Sequence, residues 1–134
     1  MKVLVATNDA KHETIFSAAV KNGPCETVDT ASGAFDAFKL LRRNRYALVI
    51  SDDTLPEMGP LEFNLTVRDI TDGRPVTVVA VPKDSSWIKH HQRFTFADLI
   101  ESPENVVELL PNLTQAIQKD GRGALSGNGY QSSS

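Results

Sequence analysis

The chain has 134 residues, 40% of them hydrophobic and 23% charged, which fits one globular domain with a buried core. The formal net charge of −3 argues against a nucleic-acid-binding surface, and no apolar run approaches the roughly 20 residues that cross a bilayer. Because the amino-terminal apolar run is too short for a signal peptide and the single cysteine, Cys25, has no disulfide partner within the chain, we expect a cytoplasmic protein that contacts neither nucleic acid nor membrane.

Apolar strands alternate with amphipathic helices along the sequence. The predicted strands are residues 2–7, 26–30, 46–51, 76–81 and 97–101. The predicted helices are residues 11–21, a segment after Ser32, residues 60–70, residues 84–93 and a segment after Ser102. The β-branched runs are typical of strands buried on both faces, and strands that alternate with helices predict an α/β sandwich around a doubly wound five-stranded parallel sheet.

Local signals indicate the faces and ends of the helices. The stripes expected to face the sheet are Ile15, Ala18 and Ala19 in the first helix, Ala34, Ala37, Phe38 and Leu41 in the second, and Phe63, Val67 and Ile70 in the third. Ser32 is predicted to cap the second helix, and Ser102 the last, with Pro103 at its first helical position. Pro111 lies inside the apolar pattern of the last helix, so we expect a kink or a break there.

The composition changes near the carboxyl terminus. The last residues, DGRGALSGNGYQSSS, are rich in glycine and serine and offer little apolar surface to bury. We therefore predict one domain at residues 1–119 and a flexible tail or linker at 120–134.

Polar side chains follow the predicted strands at the edge of the sheet where functional groups of doubly wound folds gather. They are Thr7, Asn8 and Asp9 after the first strand, Asp52 and Asp53 after the third, Lys83 beyond Ala80 after the fourth, and Glu101 after the fifth. Of the neighbours Asp52 and Asp53, only one faces the site, because adjacent strand residues point to opposite faces.

The stretch LVISDDTLPEMGPLEF resembles the phosphoacceptor segment of response-regulator receiver domains. The family's order of apolar strand, Asp, two variable residues, apolar residue and Pro is matched by Leu48–Ile50, Asp52, Asp53–Thr54, Leu55 and Pro56. The resemblance covers about residues 1–119. It implies the flavodoxin-like receiver fold and a role in two-component signal transduction through protein contacts, not an enzyme.

The resemblance also shows where this sequence departs from the family. Receiver domains hold Mg²⁺ with the acceptor Asp, which corresponds to Asp52, and with an acidic pair after the first strand. They also carry a hydroxyl after the fourth strand and a Lys after the fifth. Here the acidic pair falls on Thr7 and Asn8, the hydroxyl on Ala80 and the Lys on Glu101.

These departures argue against efficient phosphorylation. A glutamate at position 101 would repel Asp52 and any phosphoryl group on it. Asp9 and Lys83 are the two residues that could restore some charge to the pocket. We predict a pseudo-receiver with no metal or cofactor. The alternative is a receiver that accepts a phosphoryl group from a histidine kinase on Asp52, and only this alternative needs Mg²⁺.

In receiver domains the face formed by the fourth helix, the fifth strand and the fifth helix carries the output. Four residues that map there are Trp87, Ile88, His91 and Phe94, which we predict to contact a protein partner, either a histidine kinase or an output protein. Trp87 is either a binding hot spot or a side chain that packs beneath the fourth helix. The sequence leaves the oligomeric state open.

Other functions find little support. A flavin-binding domain would need a glycine-rich phosphate loop after the first strand, and TNDAKHET contains no glycine. A hydrolase would need a nucleophile elbow, which the sequence lacks. The basic cluster RRNR at 42–45 is interpreted as a solvated helix end, where cations complement the helix dipole.

Overall fold

The computed structural model describes residues 1–120, and strands alternate with helices through this range. The elements are β1 (Lys2–Ala6), α1 (Ala10–Lys21), β2 (Thr27–Ala31), α2 (Ala34–Arg43), β3 (Leu48–Asp52), α3 (Pro60–Thr71), β4 (Val76–Ala80), α4 (Ser86–Arg93), β5 (Leu99–Glu101) and α5 (Pro103–Asp120). Each predicted strand and helix is found, with ends that shift by a residue or two. The predicted tail lies outside the described residues except for Asp120, which ends α5.

The strands form one parallel sheet in the order β2-β1-β3-β4-β5. This confirms the doubly wound α/β sandwich. The chain leaves β1 first toward β2 and then returns to the other side for β3, so the topological switch point lies between β1 and β3. Thr7, directly after β1, and Asp52, the last residue of β3, therefore flank the position where such sheets bind ligands.

Apolar side chains cover both faces of the sheet. The face toward α1 and α5 buries Val3, Val5, Phe16, Leu48, Ile50, Val78, Val106 and Leu110. The opposite face packs Leu4, Ala37, Phe38, Val49, Phe63 and Val67 beneath α2 and α3, while Val79, Val81, Phe96, Ala97 and Ile100 form a smaller cluster near α4. Since strand side chains alternate, Asp52 shares the face of Leu48 and Ile50 and points toward α1, whereas Asp53 is exposed.

The inward face of α1 differs from the prediction. Ala19 is buried and Ile15 packs partly buried against the core, as predicted, but Ala18 is exposed, and the other buried side chains are Phe16 and Val20. The helix turns toward its largest apolar side chain, because burying a phenyl ring removes more apolar surface from water than burying a methyl group. This rotation also brings His12, one turn before Phe16, toward the sheet.

The cap of α2 is another correction. Gly33, not Ser32, is the N-cap residue, and it has no side chain to make a capping hydrogen bond. Instead the amide of Ala34 donates to Glu57 Oε1 at 2.8 Å, from the loop between β3 and α3. A Cβ atom at Gly33 would lie 2.6 Å from Glu57 Oε2, so a larger residue at position 33 would require the Glu57 carboxylate to shift.

The start of α5 agrees with the sequence, and its interior shows no break at Pro111. Ser102 Oγ accepts a hydrogen bond from the amide of Asn105 at 3.3 Å, as expected of a cap. Pro111 neither ends nor interrupts the helix, which runs on to Asp120. A proline inside a helix costs about 3 kcal/mol, but the apolar side chains on both sides of it, Leu110 and Leu113, are buried, and this burial offsets the lost hydrogen bond.

Among the described residues, no helix is long and apolar enough to cross a membrane.

Candidate functional site

Asp52 ends β3 at the carboxyl edge of the sheet and is only 1% exposed. The strand register pairs it with Ala80, and Ala80 in turn with Glu101, so these residues form one row across β3, β4 and β5. On the other side of β3 lies Thr7, which follows β1 and is 4% exposed. A carboxylate this deeply buried needs partners, because an isolated charge in a protein interior is strongly unfavourable.

Four donors of the chain itself surround the Asp52 carboxylate. Oδ1 accepts the amide of Thr54 at 3.0 Å and the Thr54 hydroxyl at 2.6 Å. Oδ2 accepts the Thr7 hydroxyl and His12 Nδ1, the latter at 2.8 Å. An ionised carboxylate has about four lone-pair positions and donates nothing, so Nδ1 carries the proton and the acceptor capacity of Asp52 is filled.

The two hydroxyls are held in this orientation by backbone amides. Thr7 Oγ1 accepts the amide of Asp9 at 3.0 Å, and Thr54 Oγ1 accepts the amide of Asn8 at 2.8 Å. Each hydroxyl therefore accepts from the loop after β1 and donates to the carboxylate. This network ties the ends of β1 and β3 together around one negative charge, without a second carboxylate.

Sequence reasoning missed His12 and Thr54. His12 lies in the first turn of α1 and stacks at a tilt on Phe16, with 5.3 Å between ring centroids. The signal for it was its place one turn before the largest apolar residue of that helix. The signal for Thr54 was its position two residues after an aspartate, where a side-chain carboxylate often accepts backbone and hydroxyl donors.

Asp9 serves the helix and not the Asp52 network. Its Oδ1 accepts the amides of Lys11 and His12 at 2.9 and 3.0 Å, which makes Asp9 the N-cap of α1. The hydrogen bond from the His12 amide lowers the pKa of the Asp9 carboxyl below its usual value. The expectation that Asp9 might restore charge beside Asp52 therefore finds no support in the geometry.

The other predicted pocket residues also lie apart from the Asp52 carboxylate. Asn8 and Asp53 are exposed, and Asn8 contributes its backbone amide alone. Lys83 is exposed and forms no ion pair with any residue in the range 1–120. Ala80 is buried and offers no hydroxyl, and Glu101 Oε1 accepts from the side-chain amide of Asn105 at 2.9 Å.

The residues present do not fit a magnesium site of the receiver type. Mg²⁺ is held by carboxylate oxygens and water in near-octahedral geometry. Here Asp52 already accepts four hydrogen bonds, and Asp9 caps a helix. Within residues 1–120 there is no group of three or more His, Cys, Asp or Glu side chains that could hold a metal ion.

The predicted partner-binding residues lie on and after α4, a helix with no fully buried residue. Trp87 is partly buried. Its ring lies over the backbone of Gly59, where a Cβ atom would be 2.9 Å from Trp87 Cζ2, and it meets Phe96 edge-on at 6.3 Å. Phe94 is 47% exposed. Trp87 therefore attaches α4 to the loop that follows Asp52, while Phe94 presents apolar surface to solvent.

Ile88 and His91 complete this region. Ile88 packs against the small cluster formed with Phe96. His91 meets Phe96 edge-on at 5.6 Å, and its Nδ1 is buried without a hydrogen-bond partner among the described residues. Burial lowers the pKa of His91, and Asp98 opposes this shift in part.

The fold and the edge site together define a receiver-like architecture, and the comparison with solved structures agrees. The chain is similar to the chemotaxis response regulator CheY4 of Vibrio cholerae, with 21% identity and a TM-score of 0.68, over 84% of this chain and 97% of that one. It is similar to the signal receiver domain of an HD domain-containing protein from Pseudomonas fluorescens Pf-5, with 19% identity and a TM-score of 0.71, over 98% and 91% of the two chains. It is also similar to the Francisella response regulator 1452 receiver domain, with 21% identity and a TM-score of 0.70, over 88% and 98%.

At these identities the likeness establishes the receiver fold, which confirms the resemblance seen in the sequence. No protein-family model matches the chain, and a search of curated proteins gives no significant match.

Proposed function

We propose that this chain is a pseudo-receiver, a signalling domain that binds a protein partner and whose output does not depend on aspartyl phosphate. The observation that carries this proposal is the Asp52 carboxylate, which is buried and accepts all four of its hydrogen bonds from Thr7, His12 and Thr54. A phosphoacceptor needs an oxygen available for attack, and both oxygens of Asp52 are engaged.

The surrounding charges support the same proposal. A phosphoryl group on Asp52 would add negative charge beside a row that contains Ala80 and Glu101. Phosphoryl transfer is catalysed by cations that neutralise charge on the transferred group. Among the described residues, no lysine or arginine forms an ion pair with Asp52, whose one ring-nitrogen partner is His12 Nδ1 at 2.8 Å.

The partner surface proposed here is the exposed side of α4 and the residue that follows it. Exposed aromatic side chains are enriched at binding hot spots, and Phe94 contacts the rings of His90 and Phe96, which Trp87 also contacts. The partner we propose is a protein of a signalling pathway, either a histidine kinase or an output protein. We place this activity in the cytoplasm, where the thiol of Cys25 stays reduced.

The phosphorylation half of the proposal is tested by NMR. Amide shifts are recorded during titration with Mg²⁺ and then with beryllofluoride, a mimic of the aspartyl phosphate. We expect no saturable shifts at 7–12, 52–54, 80–83 or 101, because the carboxylate has no acceptor position left. A receiver domain with the acidic pair and the lysine serves as positive control. Saturable shifts centred on residue 52 would overturn the proposal.

The docking half is tested with paired variants. Phe94→Ser should weaken capture of the partner by at least tenfold, since it removes an exposed aromatic anchor. Phe35→Ser is the matched control, because Phe35 is also a large exposed side chain, at 58%, but lies on α2. Asp52→Asn should leave capture unchanged. Equal losses for Phe94→Ser and Phe35→Ser, or loss with Asp52→Asn, would contradict the proposed surface and its independence of the carboxylate.

The second candidate function is a phosphorylatable receiver. The observation that favours it is the position of Asp52 at the carboxyl end of β3, beside the switch point of the sheet. Mass spectrometry after incubation with acetyl phosphate separates the two functions. A phosphoryl group on Asp52 that is absent from Asp52→Asn would favour this alternative.

A further inference from the structure

A groove of about 450 Å³ lies at the amino-terminal edge of the sheet, at the opposite end from Asp52. It is formed by the last turn of α2, the segment before β3, the last turn of α3 and the loop before β4. The residues that line it are Leu41, Arg42, Arg43, Asn44, Arg45, Ile70 and Arg74. Arginine is therefore the commonest residue of this lining.

The positive charge of the groove is concentrated and unbalanced. The whole chain has a formal net charge of −3, yet four exposed arginines line this one groove. None of them has a carboxylate of the described residues within 4.0 Å. The helix dipole accounts for Arg42 and Arg43, which lie in the last turn of α2, but not for Arg45 and Arg74, which lie beyond the ends of α2 and α3.

Local hydrogen bonds prepare the groove for an anion. Arg74 Nε donates to the carbonyl of Thr71 at 3.0 Å, which fixes one edge of the guanidinium group. Asn44 Nδ2 donates to the carbonyl of Leu40 at 3.2 Å, and Asn44 Oδ1 accepts from Lys2 Nζ at 2.9 Å. These contacts engage carbonyl oxygens at the helix ends, which would otherwise repel a bound anion, and Lys2 lies next to the groove through its bond to Asn44.

We propose that this groove binds a small anion with several phosphate groups, of the inorganic polyphosphate class. Guanidinium groups bind phosphate oxygens in pairs, and several in one groove suit a ligand with more than one phosphate. The described lining contains no aromatic ring on which a nucleobase could stack, and neighbouring Tyr46 is buried with its hydroxyl donating to Asp29 at 2.5 Å. The volume lies within the roughly 300–1,000 Å³ typical of small-molecule sites.

The first experiment is a calorimetric titration with inorganic tripolyphosphate at a constant ionic strength of about 0.1 M, with amide shifts recorded in parallel. We expect saturable binding, shifts confined to 41–46 and 70–74, and affinity at least about tenfold weaker for orthophosphate, because a single phosphate reaches fewer guanidinium groups. No saturation at about 1 mM, or equal affinity for the two anions, would overturn the proposal.

Variants test the site itself. Arg45→Gln combined with Arg74→Gln should weaken tripolyphosphate binding by about tenfold or more. Arg93→Gln, which removes an exposed arginine from the last turn of α4, should change it less than twofold. All three substitutions are at exposed positions, and circular dichroism checks the fold. Equal losses in the double variant and in Arg93→Gln would show diffuse attraction and refute the site.

Thermal unfolding gives an independent readout. Tripolyphosphate should raise the melting temperature of the wild-type chain relative to chloride at the same ionic strength, since a ligand that binds the folded state stabilises it. The double variant should lose this rise and Arg93→Gln should keep it. A nucleic-acid surface is the competing explanation: tighter binding to a short single-stranded or duplex oligonucleotide than to tripolyphosphate would overturn the proposal.

Discussion

The effect of replacing Asp52 by asparagine on the free energy of unfolding distinguishes a pocket of clustered carboxylates from a pocket of hydrogen-bond donors. In a pocket of clustered carboxylates, this change removes repulsion and stabilises the fold. In this chain the neighbours of Asp52 are donors: two reach Oδ1 and two reach Oδ2. We therefore expect Asp52→Asn to lower the free energy of unfolding, which is the opposite sign.

The magnitude follows from the count of donors. An asparagine has one acceptor oxygen, and its NH₂ group would face the two donors at the other position, whichever way it turns. Each hydrogen bond to a charged group contributes about 1.5–3 kcal/mol, so two lost bonds give about 3–6 kcal/mol. Part of this loss is offset, because the Thr7 hydroxyl can rotate and because a neutral amide is easier to bury than a carboxylate. We therefore expect the free energy of unfolding to fall by about 2–4 kcal/mol.

Urea denaturation followed by circular dichroism measures this loss, since a fold of this size remains folded after it. Asp53→Asn is the matched control, because the same substitution one residue later alters an exposed side chain and should change stability by less than about 0.5 kcal/mol. An Asp52→Asn variant as stable as the wild type, or more stable, would refute the donor network as the reason for burying Asp52.

Three further predictions concern the rest of the fold. Gly59→Ala should displace the Trp87 ring, shift its fluorescence emission and destabilise the fold by about 1–3 kcal/mol, because the new Cβ atom would lie 2.9 Å from Trp87 Cζ2. Glu57→Ala should cost about 0.5–2 kcal/mol in urea denaturation, since the Ala34 amide at the start of α2 loses its acceptor. Burial lowers the pKa of His91 below its usual 6.5, so its contribution to stability is complete above pH 6.5 and is lost as the pH falls through the lowered value. His91→Leu should therefore flatten the loss of stability between about pH 7 and pH 5, measured by urea denaturation at each pH.

Each of these has an outcome that contradicts its reasoning. The backbone of Gly59 is extended, with φ −81°, so alanine is tolerated there on conformational grounds, and unchanged fluorescence would mean that Trp87 does not rest on this residue. Glu57→Gln keeps an acceptor and should cost less than Glu57→Ala; equal costs would exclude capping. A His91→Leu variant with the slope of the wild type would show that His91 does not titrate differently on unfolding.

Much of the architecture follows from local patterns. The β-branched runs fixed the strands, and their alternation with amphipathic helices fixed the doubly wound sheet, because each pattern acts over a few neighbouring residues. Where local patterns conflicted, the sequence misled. Pro111 predicted a kink or a break, and no break occurs, because Leu110 and Leu113 are buried on either side of it. This contribution is visible only once the neighbouring layers are in place.

Some features of the candidate site were likewise predicted from the sequence, and others became visible only in the tertiary structure. The sequence alone predicted that Asp52 lies at the end of a central strand. Its resemblance to receiver domains implied that Thr7 and Glu101 stand where that family carries an acidic residue and a lysine. The tertiary structure decided that His12 and Thr54 hold the carboxylate.

Two of the contacts that only the tertiary structure revealed join residues far apart in sequence. His12 and Asp52 are separated by 40 residues, and Ala34 and Glu57 by 23. No local periodicity encodes such pairs, because they form only when the rotation of each helix about its axis is set by its largest buried side chains. The amino-acid sequence therefore determined the fold and the place of Asp52, and the packing of the helices decided which groups surround it.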